Sequence, residues 1–214
     1  NEGPAGPTNR KWKSSPTQMP GTTWQTEYYG SPDTKWASVL AKTDGKLWAW
    51  GEAFTGETGL NDRVDRSSPT QIGTGSDWRV GGTGREYSFA IKTDGRLYLW
   101  GQNGYGQLGQ NTINDNRSSP AQVPGGNWSN LWCGHDSLFA IKTDGTLWAW
   151  GRNGGGELGL NEGPGNEKSS PCQIGTATNW VRGAPGAEYG AHGAINSDGE
   201  LWVWGYNQNG ELGQ

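Results

Sequence analysis

Short runs of apolar residues, bounded by Gly, Pro, Asn or Asp, follow one another along the whole chain. Residues 147–150 read Leu-Trp-Ala-Trp, and alternation across a strand places Trp148 and Trp150 on one face and Leu147 and Ala149 on the other. Because both faces are apolar, this strand is predicted to lie between two packed layers. Helical periodicity with capping residues is absent from the sequence. The pattern therefore predicts an all-β chain.

A repeated motif organises these runs. The string Asp-Gly-x-Leu-Trp-x-Trp-Gly begins at Asp44, Asp144 and Asp198, and a near copy begins at Asp94. Ser-Ser-Pro begins at positions 14, 67, 118 and 169, with spacings of 53, 51 and 51 residues. A period of about 50 residues that carries several short strands is typical of a β-propeller blade. We therefore predict one domain over residues 1–214, with repeats at approximately 14–66, 67–117, 118–168 and 169–214 plus 1–13.

Four strands are predicted in each repeat. Asp-Gly between two apolar runs is typical of a two-residue type I′ hairpin turn, with the Trp-containing strand after it. Ser-Ser-Pro-x-Gln predicts a further strand with Pro at its start, where the missing N–H is tolerated. The remaining strand is predicted around Trp78, Trp128 and Trp180.

The two ends of the sequence are in phase with the repeat. Residues 211–214 read Glu-Leu-Gly-Gln and residues 1–4 read Asn-Glu-Gly-Pro, whereas residues 157–164 run continuously as Glu-Leu-Gly-Leu-Asn-Glu-Gly-Pro. We therefore expect the first strand to complete the last blade, which would close the ring and remove an exposed sheet edge. A fragment whose phase matches by chance is the alternative.

These motifs resemble the regulator-of-chromosome-condensation (RCC) repeat family, and more closely its bacterial and phage-type members. The resemblance covers the whole chain and implies a propeller of four-stranded blades. It also implies interaction scaffolds, among them an enzyme inhibitor and a nucleotide-exchange factor. Members usually have seven blades and this chain has four repeats. Four blades that close alone, a longer chain, and assembly with another subunit, including a homo-oligomer, are therefore all open.

Composition narrows the function. The net charge of −4 argues against a nucleic-acid partner, for which a basic face is expected. No apolar run reaches the roughly 18–20 residues of a membrane span, and no basic segment precedes an apolar stretch as in a signal peptide. A virion or extracellular surface and the cytoplasm remain open as locations. Cys133 and Cys172 form no Cys-x-x-Cys pair, so we expect buried small hydrophobes or, alternatively, one disulfide.

Catalysis has little support in the sequence. His135 and His192 occupy non-equivalent positions of different repeats, and no Gly-x-Ser-x-Gly motif is present, so polar loop histidines are expected. Glu86, Asp136 and Glu188 each lie in a loop after the innermost strand and could bind a cation or a basic partner if these loops converge. Solvated loop acids are the alternative. We therefore predict a protein that is not an enzyme and has no cofactor or metal.

The aromatic residues divide into two groups. Those at fixed positions of the repeated strand are predicted to be core, since packing demands them in every blade: Trp48, Trp50, Tyr98, Trp100, Trp148, Trp150, Trp202 and Trp204. Those without an equivalent in every repeat are better candidates for binding, because aromatic residues and Arg dominate interface hot spots. The candidate binding residues are Tyr28, Tyr29, Trp36, Tyr105, Tyr189, Tyr206, Arg10 and Trp12.

The position of the loops completes the functional hypothesis. Strands alternate in direction, so the loops after the innermost strand and the loops after Trp-Gly should share one face, opposite the Asp-Gly turns. The repeats diverge in these loops, where binding residues tend to lie. We predict a non-catalytic binding or structural module that contacts a protein partner through this face. A glycan- or receptor-binding domain on a virion or cell surface is the alternative, and guanine-nucleotide exchange is a weaker one.

Overall fold

The computed structural model describes residues 15–19, 21–25, 37–184 and 190–213, and these form fourteen strands and no helix. The strands are β1 (Ala37–Ala41), β2 (Leu47–Gly51), β3 (Arg66–Gln71), β4 (Trp78–Thr83), β5 (Tyr87–Lys92), β6 (Leu97–Gly101), β7 (Arg117–Gln122), β8 (Trp128–Cys133), β9 (Ser137–Lys142), β10 (Leu147–Gly151), β11 (Lys168–Gln173), β12 (Trp180–Ala184), β13 (Ala191–Asn196) and β14 (Leu201–Gly205). The all-β prediction is confirmed.

Four antiparallel sheets follow one another along the chain, as blades of a β-propeller do. The orders are β1-β2-β3, β4-β5-β6-β7, β8-β9-β10-β11 and β12-β13-β14. Trp78, Trp128 and Trp180 begin the first strands of the last three sheets, as predicted. Trp24 bridges Lys42 in the first sheet, at the position where Trp78 pairs with Lys92 in the second. We number the sheets as blades one to four.

The core lies between successive blades. Leu47 and Ala49 of blade one pack with Trp78 and Trp100 of blade two, all within one buried cluster. Equivalent clusters join blade two to blade three and blade three to blade four. Trp128 contacts both Trp148, with ring centroids 6.1 Å apart, and Trp150, at 5.8 Å. The strand that carries Trp148 and Trp150, β10, therefore buries apolar groups on both faces, as its sequence predicts.

The Asp-Gly hairpins differ from the predicted two-residue turn. The N–H of Gly45 donates to the carbonyl oxygen of Lys42 (2.9 Å), and the N–H of Lys42 donates to that of Lys46 (2.9 Å). Three residues therefore close the loop, and among them only Gly45 has a positive φ, of 77°. This is the three-residue hairpin, a type I turn followed by a left-handed Gly. Asp44 stabilises it by accepting the N–H of Lys46 with its carboxylate (3.1 Å).

The Ser-Ser-Pro segments form strands, but Pro is not at their start. Pro69 lies in the middle of β3, and Pro120 and Pro171 lie at the same place in β7 and β11. These strands occupy the outer edge of each blade, and each pairing contains a register shift beside the Pro. An edge strand with a bulge tolerates Pro because the missing N–H has no ladder partner to lose.

The repeated aromatic residues are buried to different depths. Trp100 and Trp150 are fully buried, whereas Trp50 and Trp204 are half-buried. Trp202 is 56% exposed, so its predicted core position is wrong. The first aromatic of each motif lies near the blade edge, where a Lys covers it in three blades: the Lys Nζ is 4.6, 5.5 and 4.0 Å from the ring centroids of Trp48, Tyr98 and Trp148, respectively. All three of these rings are half-buried.

The predicted ring closure is not present in the described residues. Residues 15–19, which belong to the first Ser-Ser-Pro segment, lie outside any strand and are exposed. Among the described strands, β14 pairs with β13 alone. Within the described ranges, a buried hydrophobic cluster joins each pair of successive blades, and none joins blade one to blade four. Closure stays a prediction.

Both cysteines are free thiols, so the disulfide alternative is wrong. Cys133 ends β8 and Cys172 lies in β11, on opposite edges of the same four-stranded sheet. Burial raises the pKa of the Cys133 thiol to about 12, which fits a small apolar role. None of the described residues lies in a helix long and apolar enough to cross a membrane.

Candidate functional site

Two sets of loops meet on one face of the blades, which we call the loop face. The first residue after each Trp-Gly motif donates its N–H to a carbonyl oxygen in the loop that precedes the second strand of the blade. These bonds are Gln102 to Glu86 (2.8 Å), Arg152 to Asp136 (2.9 Å) and Tyr206 to Gly190 (3.2 Å). The Asp-Gly turns lie on the other side, where Gly45, Gly95 and Gly145 accept the N–H of the first Trp of the next blade.

A cavity of about 240 Å³ opens on the loop face where blade three meets blade four. We call this cavity the junction pocket. Its lining residues are His135, Asp136, Ser137, Arg152, Gly154, Gly155, Glu157, Gly190, His192 and Tyr206. Loops and strand starts of both blades contribute, so the pocket exists only because the blades are adjacent. Its polar groups are a guanidinium, two carboxylates, two imidazoles and two hydroxyls.

A linked group of charges adjoins the junction pocket through His135 and Asp136. Arg85 Nη1 lies 3.2 Å from His135 Nδ1, and the same His135 nitrogen lies 2.7 Å from Asp136 Oδ2. Arg85 also lies 3.9 Å from carboxylate oxygens of both Asp136 and Glu86. The loops that carry these residues do converge, as the sequence analysis required. The two described acids are already paired with Arg85, which disfavours a free cation site.

No group of His, Cys, Asp and Glu in the described part of the chain has the arrangement of a metal site. Glu188, the third acid of the sequence hypothesis, lies outside the described residues. The described geometry therefore gives Glu86 and Asp136 the role of holding Arg85 and His135 in place.

His192 is a strand residue, which corrects the prediction of a polar loop histidine. It lies in β13, is 3% exposed, and packs against Phe139 with ring centroids 4.5 Å apart. Its Nε2 is 3.3 Å from Ser137 Oγ, whereas its Nδ1 is buried and has no hydrogen-bond partner among the described residues. Burial lowers the pKa of His192 to about 4. A general base works best with a pKa near the operating pH and a triad needs an acid on Nδ1, and the described residues give this pair neither.

The loops after Trp-Gly are held by one repeated contact. Glu157 Oε2 accepts the N–H of Gly155 (2.6 Å), and Gln107 Oε1 accepts the N–H of Tyr105 (2.9 Å). Glu57 does the same for Thr55, at 2.9 Å. Because the acceptor is two residues after the donor, each loop tip is fixed by its own side chain. The side chain at the tip is thereby presented at a defined position, and the repeats differ in what they present there.

Tyr105 presents an aromatic ring to the next blade. The guanidinium carbon of Arg152 lies 5.5 Å from the ring centroid of Tyr105, within cation–π distance. Arg152 Nε also lies 3.9 Å from Glu157 Oε1. Tyr206 occupies the position of Arg152 in the following blade and lines the junction pocket. Tyr105, Arg152 and Tyr206 therefore form a row across three blades, which we call the loop-face row.

Two of the eight predicted binding residues, Tyr105 and Tyr206, lie on this row. Tyr105 is 38% exposed and Tyr206 is half-buried. The other six lie outside the described residues: Tyr28, Tyr29, Trp36, Tyr189, Arg10 and Trp12. Sequence reasoning missed Arg152. A comparison of the repeats could have found it, because the equivalent positions carry Glu52, Gln102 and Tyr206, and Arg152 alone is a cation. Phe54, another aromatic residue without an equivalent in every repeat, follows β2 by three residues and is 76% exposed.

Residues 94–141 and 144–190 match the family model of the regulator of chromosome condensation (RCC1) repeat. Human WBSCR16 is similar in structure, with a TM-score of 0.67 and 25% identity over 81% of this chain and 46% of that chain. Yeast RCC1 (Prp20), solved with bound Kap60, has a TM-score of 0.67 and 19% identity over 81% of this chain and 42% of that chain.

A second structure of Prp20p from Saccharomyces cerevisiae, described with its binding properties to Gsp1p and histones, also has a TM-score of 0.67. It is 17% identical, over 82% of this chain and 44% of that chain. The matched part of this chain thus spans less than half of each of these solved structures. No curated protein sequence matches the chain.

Proposed function

Because residues 94–141 and 144–190 are repeats of the RCC1 family, we propose that this chain is a non-catalytic propeller module that binds a protein partner through the loop face. The observation that carries the proposal is the loop-face row, Tyr105, Arg152 and Tyr206. Tyr and Arg are enriched among the few residues that supply most of an interface's binding energy. A row of them on one face suits a protein surface better than a small-molecule site.

The rigidity of the loops supports the same function. Glu157 and Gln107 fix their loop tips through short contacts, and the N–H of Arg152 is bonded to the neighbouring loop. Side chains on fixed loops lose less conformational entropy on binding, so more of the contact energy appears as affinity. This arrangement is what a preorganised interface requires.

The non-catalytic part rests on the junction pocket. Its only pair that resembles a nucleophile and a base is Ser137 with His192, and both side chains are buried. At a pKa of about 4, His192 is neutral at pH 7 but is a weak base. The polar groups of the pocket are better suited to hydrogen bonds with a partner than to proton transfer.

Two of the similar solved structures are described with protein partners, but they do not identify a partner for this chain. One Prp20 structure contains bound Kap60, and the other is described together with the binding properties of Prp20p to Gsp1p and histones. Below 25% identity these structures show the fold alone, and fold does not carry function. We therefore propose a protein partner as a class.

Site-specific photo-crosslinking tests the proposal. A benzoylphenylalanine at position 105 should give a discrete protein adduct in an extract that contains the partner. The matched control carries the same group at Thr93, an exposed residue of the Asp-Gly turn in the same blade on the opposite side. Arg152→Ala should remove the adduct formed at position 105.

Adducts of equal yield from positions 93 and 105 would contradict binding through the loop face. So would binding to a glycan array that is lost in Tyr105→Ala, because that result favours the carbohydrate alternative.

A further inference from the structure

In three blades, a lysine ammonium lies between two aromatic rings beside the Asp-Gly turn. One ring belongs to the Trp that pairs with this lysine in the sheet, and the other belongs to the first aromatic residue of the Trp-Gly motif. In blade three, Lys142 Nζ lies 4.8 Å from the ring centroid of Trp128 and 4.0 Å from that of Trp148. The distances are 4.7 and 4.6 Å for Lys42 in blade one, and 4.9 and 5.5 Å for Lys92 in blade two. Each pair of rings is therefore a cation–π site that the chain fills with its own lysine.

Blade four has the pair of rings but not the lysine. Trp180 and Trp202 have ring centroids 6.2 Å apart at an interplanar angle of 81°, and the equivalent rings of blade three are 6.1 Å apart at 84°. Asn196 pairs with Trp180 in the sheet, at the position where a lysine pairs with the Trp of each other blade. The rings of blade four are thus arranged to hold a cation that position 196 does not supply.

The side chain of Asn196 is bonded to the Asp-Gly turn. Its Oδ1 accepts the N–H of Asp198 (3.1 Å) and of Glu200 (2.9 Å), and its Nδ2 donates to Glu200 Oε2 (2.8 Å). An Asn side chain is shorter than a Lys side chain and carries no charge, so it cannot reproduce the cation–π contact with both rings. The residue that replaces the lysine therefore stabilises the turn and leaves the rings without a cation.

The charge of this turn also favours a cation from outside. Position 200 is Glu, where the other repeats have Lys, Arg or Thr. In blades one and two, that basic residue forms an ion pair with the Asp of the turn, at 3.0 and 2.6 Å. In blade four, the described contacts of Asp198 and Glu200 are with neutral amides: Asp198 Oδ2 accepts from Asn179 Nδ2 (2.9 Å), and Glu200 from Asn196. Blade four thus has less positive and more negative charge beside its rings than the other blades, which attracts a cation.

A cavity of about 570 Å³ gives access to the two rings. Its lining includes Trp180, Asn196 and Trp202, and its volume lies in the range of small-ligand sites. The equivalent cavity between blades one and two, of about 470 Å³, is lined in part by Lys92 and by Pro120 of the outer strand β7. Lys92 is 18% exposed with that strand in place. Access to the cation position therefore does not depend on whether the outer edge of a blade is open.

We propose that Trp180 and Trp202 bind the side-chain ammonium of a lysine presented by a partner protein. The incoming ammonium lies between the two rings, as the internal lysines do in their own blades, and Asp198 and Glu200 supply negative charge beside it. A lysine is the ligand because the equivalent pairs of rings already hold lysine side chains. The site lies beside the Asp-Gly turn of blade four and not on the loop face, so it can fail or hold independently of the proposed function.

Titration of a lysine peptide followed by NMR tests this inference. The probe is acetyl-Gly-Lys-Gly-amide, and nitrogen–proton correlation spectra report the indole N–H signals of Trp180 and Trp202, assigned from the Trp180→Phe and Trp202→Phe variants. We expect saturable shifts of these two signals. The matched peptide with norleucine in place of Lys retains an alkyl chain but lacks the ammonium, so it should bind about tenfold more weakly or worse.

Asn196→Lys is the main test variant, because it supplies the internal cation that the other three blades have. It should fold and lose about tenfold or more in affinity for the lysine peptide. Trp202→Leu removes one ring and should have the same effect. Lys142→Asn is the reverse change in blade three and should create a second set of saturable indole shifts. Glu200→Thr introduces the residue of blade three and should weaken binding roughly threefold at low salt, with a smaller difference at high salt.

The loop face supplies the control for independence, since Asn196→Lys should leave the adduct formed at position 105 unchanged. Three results would overturn the proposal. One is equal binding of the lysine and norleucine peptides. Another is undiminished binding in Asn196→Lys with an unchanged circular dichroism spectrum. The third is tighter binding of choline than of the lysine peptide, which would assign the rings to a small quaternary ammonium.

Discussion

The indole Nε1 of Trp150 donates a 2.9 Å hydrogen bond to the backbone carbonyl oxygen of Gln107, which belongs to the preceding blade. Trp100 makes the same bond to Glu57 at 2.8 Å, and Trp204 makes it to Glu157 at 2.8 Å. The Trp of one blade thus satisfies a carbonyl in the loop of the blade before it. The contact links the fold to the proposed site, because the side chains of Gln107 and Glu157 hold loop tips of the loop face.

Replacement of Trp150 by Phe should therefore cost more than the lost apolar area suggests. The substitution leaves the buried carbonyl of Gln107 without its donor, a penalty of about 1–3 kcal/mol in addition to the smaller ring. Urea denaturation measures the free energy of unfolding. Trp202→Phe is the matched control, since that indole is 56% exposed and the change should stay within about ±0.5 kcal/mol. Equal losses in the two variants would show that the indole bond contributes nothing.

The glycine that packs against this indole should be equally intolerant. Gly109 has a φ of +66°, and a Cβ on it would lie 2.9 Å from Trp150 Nε1. Gly109→Ala combines backbone strain of roughly 1–2 kcal/mol with a clash that displaces the indole. Gly73→Ala isolates the strain, because Gly73 has a φ of +61° with nothing within 4 Å of its Cβ position. Thermal unfolding should show a larger decrease for Gly109→Ala than for Gly73→Ala, and the reverse order would contradict the packing argument.

The repeat in the sequence predicted most of the fold, because the same spacing had to produce the same sheet each time. It did not predict how deeply each ring is buried. Trp148 and Trp150 share a strand face, as parity requires, but Trp150 lies under a loop of the preceding blade and Trp148 lies at the blade edge under Lys142. Alternation along a strand predicts which face a side chain lies on, but it does not predict how deeply each position along the strand is buried. The hairpin type was missed because Lys42 and Lys46, not Thr43 and Lys46, close the loop.

The site was less predictable for a physical reason. Tyr105 and Arg152 are 47 residues apart, and their contact depends on how two successive blades are rotated against each other. No local pattern contains that angle. His192 was expected at the end of the loop after the innermost strand, yet it pairs with Trp204 within β13 and β14. A polar residue in a glycine-rich run can belong to a strand when the glycines are there to let neighbouring backbones approach closely.

The unfolding free energy should depend on pH through His192. The pKa of this buried imidazole is about 4 in the folded protein, against 6.5 in the unfolded chain. Between these values the unfolded chain binds a proton that the folded chain does not, so stability is complete above pH 6.5 and falls as the pH falls toward 4. The loss approaches about 3 kcal/mol, since each pKa unit corresponds to about 1.4 kcal/mol.

Urea denaturation at intervals from pH 8 to pH 4 measures this loss. His192→Gln should flatten the curve over that window whatever its own stability. A wild-type slope that persists in His192→Gln would assign the pH dependence to another group.

Substitutions of Glu157 distinguish the effect of its hydrogen bond to the loop tip from the effect of its negative charge. Gln107 makes the same contact in blade two with a neutral side chain, at 2.9 Å to the N–H of Tyr105. Glu157→Gln should therefore retain the free energy of unfolding within about 0.5 kcal/mol. Glu157→Ala leaves the N–H of Gly155 without its acceptor and should cost about 1 kcal/mol, the typical net value of a hydrogen bond. Chemical denaturation of the two variants compares them, and a loss in Glu157→Gln as large as in Glu157→Ala would mean that the charge beside Arg152 matters more than the loop contact.

Removal of the loop-face aromatic rings should separate binding from folding. Tyr105 is 38% exposed, and the hydroxyl of Tyr206 bonds only to the nearby Gln208, among its described contacts (2.5 Å). Tyr105→Ala and Tyr206→Ala should therefore change the free energy of unfolding by no more than about 0.5 kcal/mol each. Phe54→Ala is the matched control, because Phe54 is an exposed aromatic residue on the same face but belongs to blade one, outside the loop-face row.

The same variants should differ in partner binding. Loss of a hot-spot ring costs about 2 kcal/mol or more of binding free energy, which corresponds to a roughly thirtyfold increase in the dissociation constant. Biolayer interferometry with the captured partner measures this increase. We expect this loss for Tyr105→Ala and a change of less than threefold for Phe54→Ala. Tyr28 and Tyr29, which the sequence also nominates, are tested by the same measurement. If binding survives in Tyr105→Ala and Tyr206→Ala but is lost in Tyr28→Ala or Trp12→Ala, the interface lies at the blade-one end of the chain and the loop-face row has no part in it.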